Sequence, residues 1–255
     1  IAVLPVNGRN FTSLIDLSPL SAGSSLGGQL STSTNFTIDG MTAKNPTSGG
    51  TTNRNGGPYS ISMEAVREFE VVTNQYDVTF GRSGGGTVST VTKSGTNTTK
   101  GSAFLFSRAN WLSSPYNISG TKRDVKFSTY QYGASLGGAI VKDRAHYFVA
   151  WDHQEDSRPL YIADIKSAAD ETRLNLTQTT LDRFLKIARS KYGVASTPQT
   201  GSFDKKQGTD AVFARLDWQI NEKNLLTLRN NFTYDLNKNG LGDNTNINFF
   251  ESYGN

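Results

Sequence analysis

The residues whose chemistry could support catalysis are few, and their spacing matches no catalytic site. The most glycine-rich segment, residues 80–87, has the composition of a phosphate-binding loop. It lacks the Gly-Lys-Ser/Thr ending of such a loop, and a Thr/Val-rich strand follows it where a helix is required. The sequence has no cysteine, which excludes a thiol nucleophile, disulfides and cysteine-bound zinc. We therefore predict no enzymatic activity, no catalytic residue and no cofactor.

The candidate metal ligands are two histidines and one Asp/Asn-rich segment. His146 and His153 lie seven residues apart, which separates them by roughly 23 Å along a strand, so they do not share a metal unless the strand ends or bends. Residues 235–246 resemble a calcium loop, but Asn246 stands where such a loop needs a bidentate Glu. Turn-forming Asp, Asn and Gly explain the same segment. We predict no metal site and keep a single candidate set: Asp235, Asn237, Asn239 and Asp243.

The charge of the chain does not indicate a nucleic-acid partner. The net charge is +4 and the pI about 9.2, but the first hundred residues carry seven Lys/Arg against six Asp/Glu, with no basic run. Such scattered charge is typical of a mildly basic solvated surface. No segment approaches the ~18 consecutive apolar residues of a membrane helix.

The sequence pattern changes along the chain, and we place a domain boundary between residues 97 and 98. Residues 1–97 contain short strand-like runs at 35–38, 69–73 and 87–93, with a short helix predicted at 63–68. Loops rich in Gly, Asn, Ser and Thr, such as residues 45–59, separate them. This part is predicted to be a small mixed α/β domain.

Residues 98–255 alternate apolar and polar side chains with the period of a β-strand. Residues 211–220 and 226–235 form one alternating pair around a tight polar turn, and residues 130–140 and 147–152 form another. We predict that one face carries these apolar residues: Tyr147, Val149, Trp151, Val212, Leu216, Trp218, Leu226 and Leu228. The opposite face is predicted to carry Arg215, Asp217, Arg229 and Asp235 together with Phe213, and Phe148 interrupts its polar pattern.

The strands and their connections fit an outer-membrane barrel. Each strand has about ten residues or more, with short turns at 141–144 and 221–224 and long linkers at 109–124 and 153–208. Membrane barrels have strands of that length, one apolar face, and alternating short turns and long external loops. We predict an antiparallel transmembrane β-barrel segment, incomplete and open, of five strands or a sixth beginning at 247–250.

The linker 153–208 contains a predicted helix at residues 180–192. Thr179 and Asp182 fit a capping box, and Gly193 fits the position after the helix. Leu181, Leu185 and Ala188 belong to its apolar stripe.

Several motifs together resemble the plug domain of TonB-dependent outer-membrane transporters, in particular their Oar-like branch. The motifs lie in residues 4–11, 38–40, 66–72, 80–82, 84–88 and 91–97, and residues 138–143 resemble the first short turn of the family barrel. The residues that the resemblance marks as structural or gating residues of the plug are Arg9, Asp39, Gly40, Arg67, Glu68, Glu70, Gly81, Arg82, Gly84, Gly85 and Lys93.

The resemblance implies a function in the bacterial outer membrane. It implies energy-coupled movement, as uptake or export, of a large or scarce solute such as a peptide or a protein. A plug would fill a barrel of about 22 strands surrounded by outer-membrane lipid. A TonB-type energy-coupling complex is the implied partner, acting through an N-terminal segment outside this sequence. The ligand and its binding residues are left unassigned.

The sequence departs from the family at one position of the plug. Residues 73–75 read Thr-Asn-Gln where many relatives have Arg-Gly-Pro. An arginine anchor to the barrel is therefore in doubt there, and Arg67 or Arg82 is the expected substitute. We also expect the chain to be a fragment of a longer transporter. The alternative is a soluble β-rich binding or adhesin module, which would stay monodisperse without detergent.

Overall fold

The structure is a computed structural model in which two β-sheets carry most of the ordered backbone. It describes residues 15, 17–22, 25–30, 33–43, 61–73, 84, 86–113, 116–118, 121–123, 126–162, 164–193 and 200–237. The strands of the described part are β1 (Ser21–Ala22), β2 (Ser25–Leu26), β3 (Thr34–Ile38), β4 (Met41–Thr42), β5 (Val66–Thr73), β6 (Gly86–Thr92), β7 (Lys100–Ala109), β8 (Tyr116–Ile118), β9 (Thr121–Arg123), β10 (Ser128–Val141), β11 (Ala145–Ile162), β12 (Gly201–Asn221) and β13 (Asn224–Asn237). The helices are α1 (Ala168–Leu174) and α2 (Gln178–Tyr192).

The first sheet has four strands in the order β4-β3-β6-β5. β3 runs parallel to β6, and the other two pairings are antiparallel. The three predicted strands are confirmed, but the predicted helix at 63–68 is wrong in its extent. Only Met63–Ala65 form a 3₁₀ turn, because the backbone from Val66 onwards pairs with β6.

Four buried apolar side chains form the core of this sheet: Ile15, Leu26, Phe36 and Val88. Gly86 is required beside them, since a Cβ there would lie 2.6 Å from the carbonyl oxygen of Val72 and 2.9 Å from a methyl group of Leu26. The absence of a side chain thus allows β5 and the Leu26 side chain to approach β6 closely.

The second sheet has five strands in the order β13-β12-β11-β10-β7. Residues 142–144 connect β10 to β11, and residues 222–223 connect β12 to β13, so both predicted hairpins are confirmed. The strands are longer than predicted: β11 has 18 residues and β12 has 21. The linker predicted at 153–208 is therefore wrong at both ends, because backbone pairing continues through residue 162 and resumes at residue 201.

The chain divides into two compact units. One comprises residues 1–106, 131–154 and 209–235, and the other comprises residues 107–130, 155–208 and 236–255. The second unit contains the β8–β9 hairpin and both α-helices. None of the helices in the described ranges has the length and hydrophobicity to cross a membrane.

The predicted helix is confirmed as α2, with one correction at its start. The hydroxyl of Thr177, not that of Thr179, accepts the capping hydrogen bond from the backbone N–H of Thr180. Gly193 ends the helix with a positive φ of 67°, as predicted. The shorter α1 was not predicted. Its Asp170 accepts hydrogen bonds from Arg173, from the Ser167 hydroxyl and from the Lys166 backbone, which together lower the pKa of Asp170 to about 2.

Candidate functional site

The two faces of the five-stranded sheet differ as predicted. The side chains of Val149, Trp151, Val212, Trp218, Leu226 and Leu228 are exposed, from 37% for Leu226 to 54% for Leu228. Tyr147 and Leu216 on the same face are half-buried, and so are Arg215, Asp217, Arg229 and Asp235 on the opposite face. An apolar face turned outward and a charged face turned inward is the arrangement of a membrane barrel wall.

Phe148 and Phe213 interrupt the charged face because they pack against the four-stranded sheet. Both are buried, at 6% and 1% exposure, with their ring centroids 6.3 Å apart. They form one apolar cluster with Ala150 and with residues that precede and begin β5: Ile61, Met63, Ala65 and Val66. The two exceptions to the polar pattern therefore mark where the two sheets meet.

A second contact between the sheets starts at the turn of the β3–β4 hairpin. Ile38 pairs with Met41, which leaves Asp39 and Gly40 as the two turn residues. Both have positive φ, 47° and 81°, as a type I′ hairpin turn requires, and Asp-Gly is a preferred sequence for it. This turn places the Asp39 side chain at the edge of the hairpin.

Two groups of Thr92 fix the carboxylate of Asp39. The Thr92 backbone N–H donates to Oδ1 at 2.8 Å, and the Thr92 hydroxyl donates to Oδ2 at 2.6 Å. Burial raises the pKa of Asp39, but these hydrogen bonds and the Arg229 guanidinium outweigh it and hold the pKa below its ordinary value. Asp39 is therefore a carboxylate at neutral pH.

Two arginines of the five-stranded sheet face that carboxylate. The Nη1 of Arg229 lies 2.7 Å from Oδ2 of Asp39, and the Nη1 of Arg215 lies 4.0 Å from the same oxygen. Arg215 also donates to the hydroxyl of Thr92 at 2.9 Å. The side chains are mostly buried, with exposures of 10% for Asp39, 20% for Arg215 and 23% for Arg229, so solvent screens these pairs less than surface pairs.

Asp217 holds Arg215 in position from within the five-stranded sheet. Its two oxygens accept from Nε and Nη2 of Arg215 at 2.8 and 3.1 Å. The hydroxyl of Thr227 donates to Asp217 at 2.8 Å. Such a two-point pair fixes the direction of a guanidinium. We call Asp39, Thr92, Arg215, Asp217 and Arg229 the ionic cluster.

A third contact joins the sheets through Glu64. The hydroxyl of Ser102 on β7 donates to Glu64 Oε2 at 2.9 Å and lies 2.8 Å from the hydroxyl of Ser135 on β10. Lys93 Nζ lies 3.8 Å from the same carboxylate oxygen. A cavity of about 380 Å³ adjoins this contact and is lined by Lys93, Ser102, Ser135 and seven other residues.

Close backbone approach at Gly95 brings the end of the first sheet against the second. A Cβ at Gly95 would lie 2.6 Å from the carbonyl oxygen of Gly138 and 2.8 Å from the backbone nitrogen of Tyr147. Asn97 next bonds to both ends of the β10–β11 turn, accepting from the backbone of Asp143 at 2.8 Å and contacting His146 at 2.9 Å. The connection between the sheets is thus fixed at the turn.

The structure brings together only some of the residues that the resemblance marks. Asp39 and Gly40 belong to the turn of the ionic cluster, and Lys93 pairs with Glu64. Arg67, Glu68 and Glu70 lie exposed on β5. Gly84 donates its backbone N–H to the carbonyl of Ser33. Arg9, Gly81, Arg82 and Gly85 lie outside the described residues.

Of the two arginines expected to anchor the plug to the barrel, only Arg67 lies in the described part of the chain. Arg67, one of the two expected substitutes, pairs with its neighbour Glu68 at 2.7 Å and is 58% exposed. The contact is instead made by a carboxylate of the four-stranded sheet and by arginines of the five-stranded sheet. The sequence placed Arg215 and Arg229 on the inward face, but it gave no indication that Asp39 is their partner.

The candidate metal ligands do not converge in the described part. Asp235 is in β13 rather than in a loop and accepts a hydrogen bond from Thr209 at 2.7 Å. Asn239 and Asp243 lie outside the described residues. His146 contacts Asn97, whereas His153 contacts Asp210. Within the described ranges, no group of three or more His, Asp or Glu residues could hold a metal ion.

Comparison with known proteins assigns the chain to a family. Residues 91–254, more than half of the chain, match the family model described as outer membrane beta barrel domain. The TonB-dependent transporter Oar of Myxococcus xanthus is 31% identical over 159 residues, which are 56% of this chain and 14% of that protein. The chain therefore spans only a small part of that relative's length.

A solved structure shows a more distant similarity. The siderophore receptor PirA from Acinetobacter baumannii superposes with a TM-score of 0.48 at 17% identity, over 82% of this chain and 25% of that chain. A score at that level does not by itself establish a shared fold. The family match and the sequence relative together place the chain in the bacterial outer membrane. The chain belongs to the outer membrane β-barrel domain family and is related in sequence to the TonB-dependent transporters.

Proposed function

We propose that this chain is part of an energy-coupled transporter that moves a large or scarce solute, such as a peptide or a protein, across the outer membrane. Residues 1–97 form the plug, and residues 98–255 form the first strands and external loops of the barrel. The observation that carries the proposal is the ion pair between Asp39 on the plug sheet and Arg229 on the barrel sheet, with Arg215 beside it.

The contacts between the sheets suit a plug that is held firmly and released without covalent chemistry. They consist of the ionic cluster, the apolar cluster around Phe213 and the Glu64–Ser102 hydrogen bond. Each is non-covalent, and breaking the partly buried ion pair costs on the order of 3 kcal/mol. Mechanical work by a TonB-type complex on an N-terminal segment can supply free energies of that size.

Solute recognition is assigned to the external loops. Long strands are connected by residues 109–124 and by the segment between β11 and β12, which contains α1 and α2. Loops that a rigid scaffold positions are the usual carriers of recognition. The plug loop at 45–59 is assigned to the same role and lies outside the described residues.

The test measures how readily a reagent reaches one inward-facing position. The sequence has no cysteine, so a thiol reagent labels only the cysteine that is introduced. Ala150 is 3% exposed in the apolar cluster between the sheets, and Tyr192 at the end of α2 is 79% exposed. The full-length protein carrying Ala150→Cys is treated with a membrane-impermeant maleimide in cells with and without a functional TonB-type complex. Tyr192→Cys is the control for reagent access, because it adds the same group to a segment assigned to the external loops.

If the plug moves under energy coupling, Ala150→Cys is labelled faster in energised cells, while Tyr192→Cys is labelled at the same rate in both strains. Equal labelling of Ala150→Cys in both strains would contradict an energy-driven plug. The soluble binding module predicts a different result: the protein purifies as a monodisperse species without detergent. The exposed apolar face of β10–β13 opposes that outcome, since contiguous apolar surface of this kind requires lipid or a partner.

A further inference from the structure

We propose that Arg215 and Arg229 form a carboxylate-binding site on the inner face of the barrel sheet, which Asp39 fills in the present state and a carboxylate-bearing solute fills once the plug moves. The inference rests on the proposed transport function and names the chemical class of the solute. The argument compares the hydrogen bonds and charges of the ionic cluster before and after the β3–β4 hairpin moves away.

The barrel side of the cluster stays organised without the plug. Arg215 keeps its two hydrogen bonds to Asp217, and Asp217 keeps its bond from Thr227. These partners all lie on β12 and β13. The direction of the Arg215 guanidinium is therefore fixed by the barrel sheet itself.

The balance of charge on that face changes when Asp39 departs. Two guanidinium groups and the carboxylate of Asp217 remain, which leaves an excess of one positive charge. Arg229 loses the carboxylate at 2.7 Å and the Asp39 carbonyl at 3.3 Å. Arg229 then faces the space that the hairpin occupied without an anion beside it, and the excess of positive charge on this face attracts a new anionic group.

The vacated position has the chemistry of a carboxylate site because a carboxylate already occupies it. Arg229 Nη1 lies 2.7 Å from Oδ2 of Asp39, and Arg215 Nη1, which donates to the Thr92 hydroxyl, adds a second positive charge 4.0 Å from the same oxygen. Guanidinium groups match the planar shape and charge of carboxylates. A side-chain or terminal carboxylate of a peptide or of a smaller solute reproduces the group that has left. The same group competes with Asp39 and thereby favours the displaced plug.

The test empties the site without displacing the hairpin. Asp39→Gly removes the carboxylate and suits the positive φ of 47° at this position. Asp39→Asn fills the same volume with a neutral group and keeps the site closed. Purified full-length proteins in detergent are titrated at pH 7 with ¹³C-labelled sodium acetate, in the presence of sodium chloride that keeps ionic strength constant. Binding is measured as broadening of the acetate carboxyl resonance.

We expect protein-dependent broadening with Asp39→Gly and its absence with the wild type and Asp39→Asn. Adding Arg229→Gln to Asp39→Gly should weaken acetate binding by roughly tenfold to a hundredfold, the usual effect of losing a hydrogen bond to a charged group. Arg144→Gln in the same background is the control, since Arg144 lies exposed in the β10–β11 turn and donates to the carbonyl of Ile220, and should change nothing.

Absence of broadening with Asp39→Gly overturns the proposal, because Arg229 has then turned to Asp217 or to solvent. Equal broadening with and without Arg229→Gln overturns it as well. Neither result depends on energy coupling, so a failure here is distinct from a failure of the Ala150→Cys labelling test. Conversely, if the labelling test shows that the plug does not move in cells, acetate binding to Asp39→Gly still reports on the two arginines in the closed state.

Discussion

The guanidinium of Arg229 lies 2.7 Å from the carboxylate of Asp39 although 190 positions separate the two residues in the sequence. Asp39 occupies the turn of a small hairpin, and Arg229 occupies the middle of the last described strand. The pair therefore connects an early element of the first sheet with the edge strand of the second. Because of this long-range contact, a substitution at either residue is expected to affect how the two sheets are held together.

Acid should weaken the contact at Asp39. The pKa of this carboxyl is held below its ordinary value of 3.8 in the folded state, so its contribution to stability is present above the unfolded pKa. That contribution is lost as pH falls through the lower folded pKa. The protection factors of residues 34–42, which correct exchange rates for the intrinsic effect of pH, should fall below about pH 4 in the wild type. In Asp39→Asn they should start from a lower value and lack this step.

Arginine should be tolerated on one face of β13 and not on the other. Leu228 is 54% exposed on the outward face, where an Arg at mid-membrane costs about 2–4 kcal/mol. Its neighbour Thr227 faces inward and bonds to Asp217. Leu228→Arg should therefore reduce the amount of heat-modifiable, membrane-inserted barrel much more than Thr227→Arg does. Similar insertion of the two variants would contradict the assigned faces.

Truncation of Phe213 should loosen the segment that leads into the four-stranded sheet. Phe213 is 1% exposed in the cluster with Ile61 and Met63, and removing a buried aromatic ring of this kind costs about 3–5 kcal/mol. Phe213→Ala should raise hydrogen exchange in residues 61–69. Phe232→Ala is the matched control, because Phe232 is 56% exposed, and should leave exchange in this segment unchanged.

A methyl group at Gly95 should not be accommodated. Its Cβ would meet backbone atoms of Gly138 and Tyr147 within 2.8 Å, and backbone cannot rotate aside as a side chain can. Gly95→Ala should destabilise the protein by about 1–3 kcal/mol in thermal unfolding followed in detergent. Gly208→Ala, with no atom within 4 Å of its Cβ, should stay within about 0.5 kcal/mol of the wild type.

The sequence alone determined the features that depend on neighbouring residues. Alternation of period two assigned Val212, Leu228 and Arg215 to their faces, because side-chain direction along a strand depends only on position parity. Local capping chemistry located the end of α2 at Gly193. The lengths of β11 and β12 were underestimated, because residues 153–159 and 204–208 continue the strands but contain only polar residues, Pro and Gly, so they show no apolar alternation.

Only the tertiary structure decided which residues meet. Phe148 interrupts the alternating pattern of the sequence, and only the structure shows that Phe148 and Phe213 pack with Ile61 and Met63, which precede β5. In the sequence, Asp39 was marked only by the resemblance to a plug, and Arg215 and Arg229 only by their place on the inward face. The physical reason is that a strand pattern fixes the face of a residue, whereas its partner depends on sheet registers and on packing between distant segments.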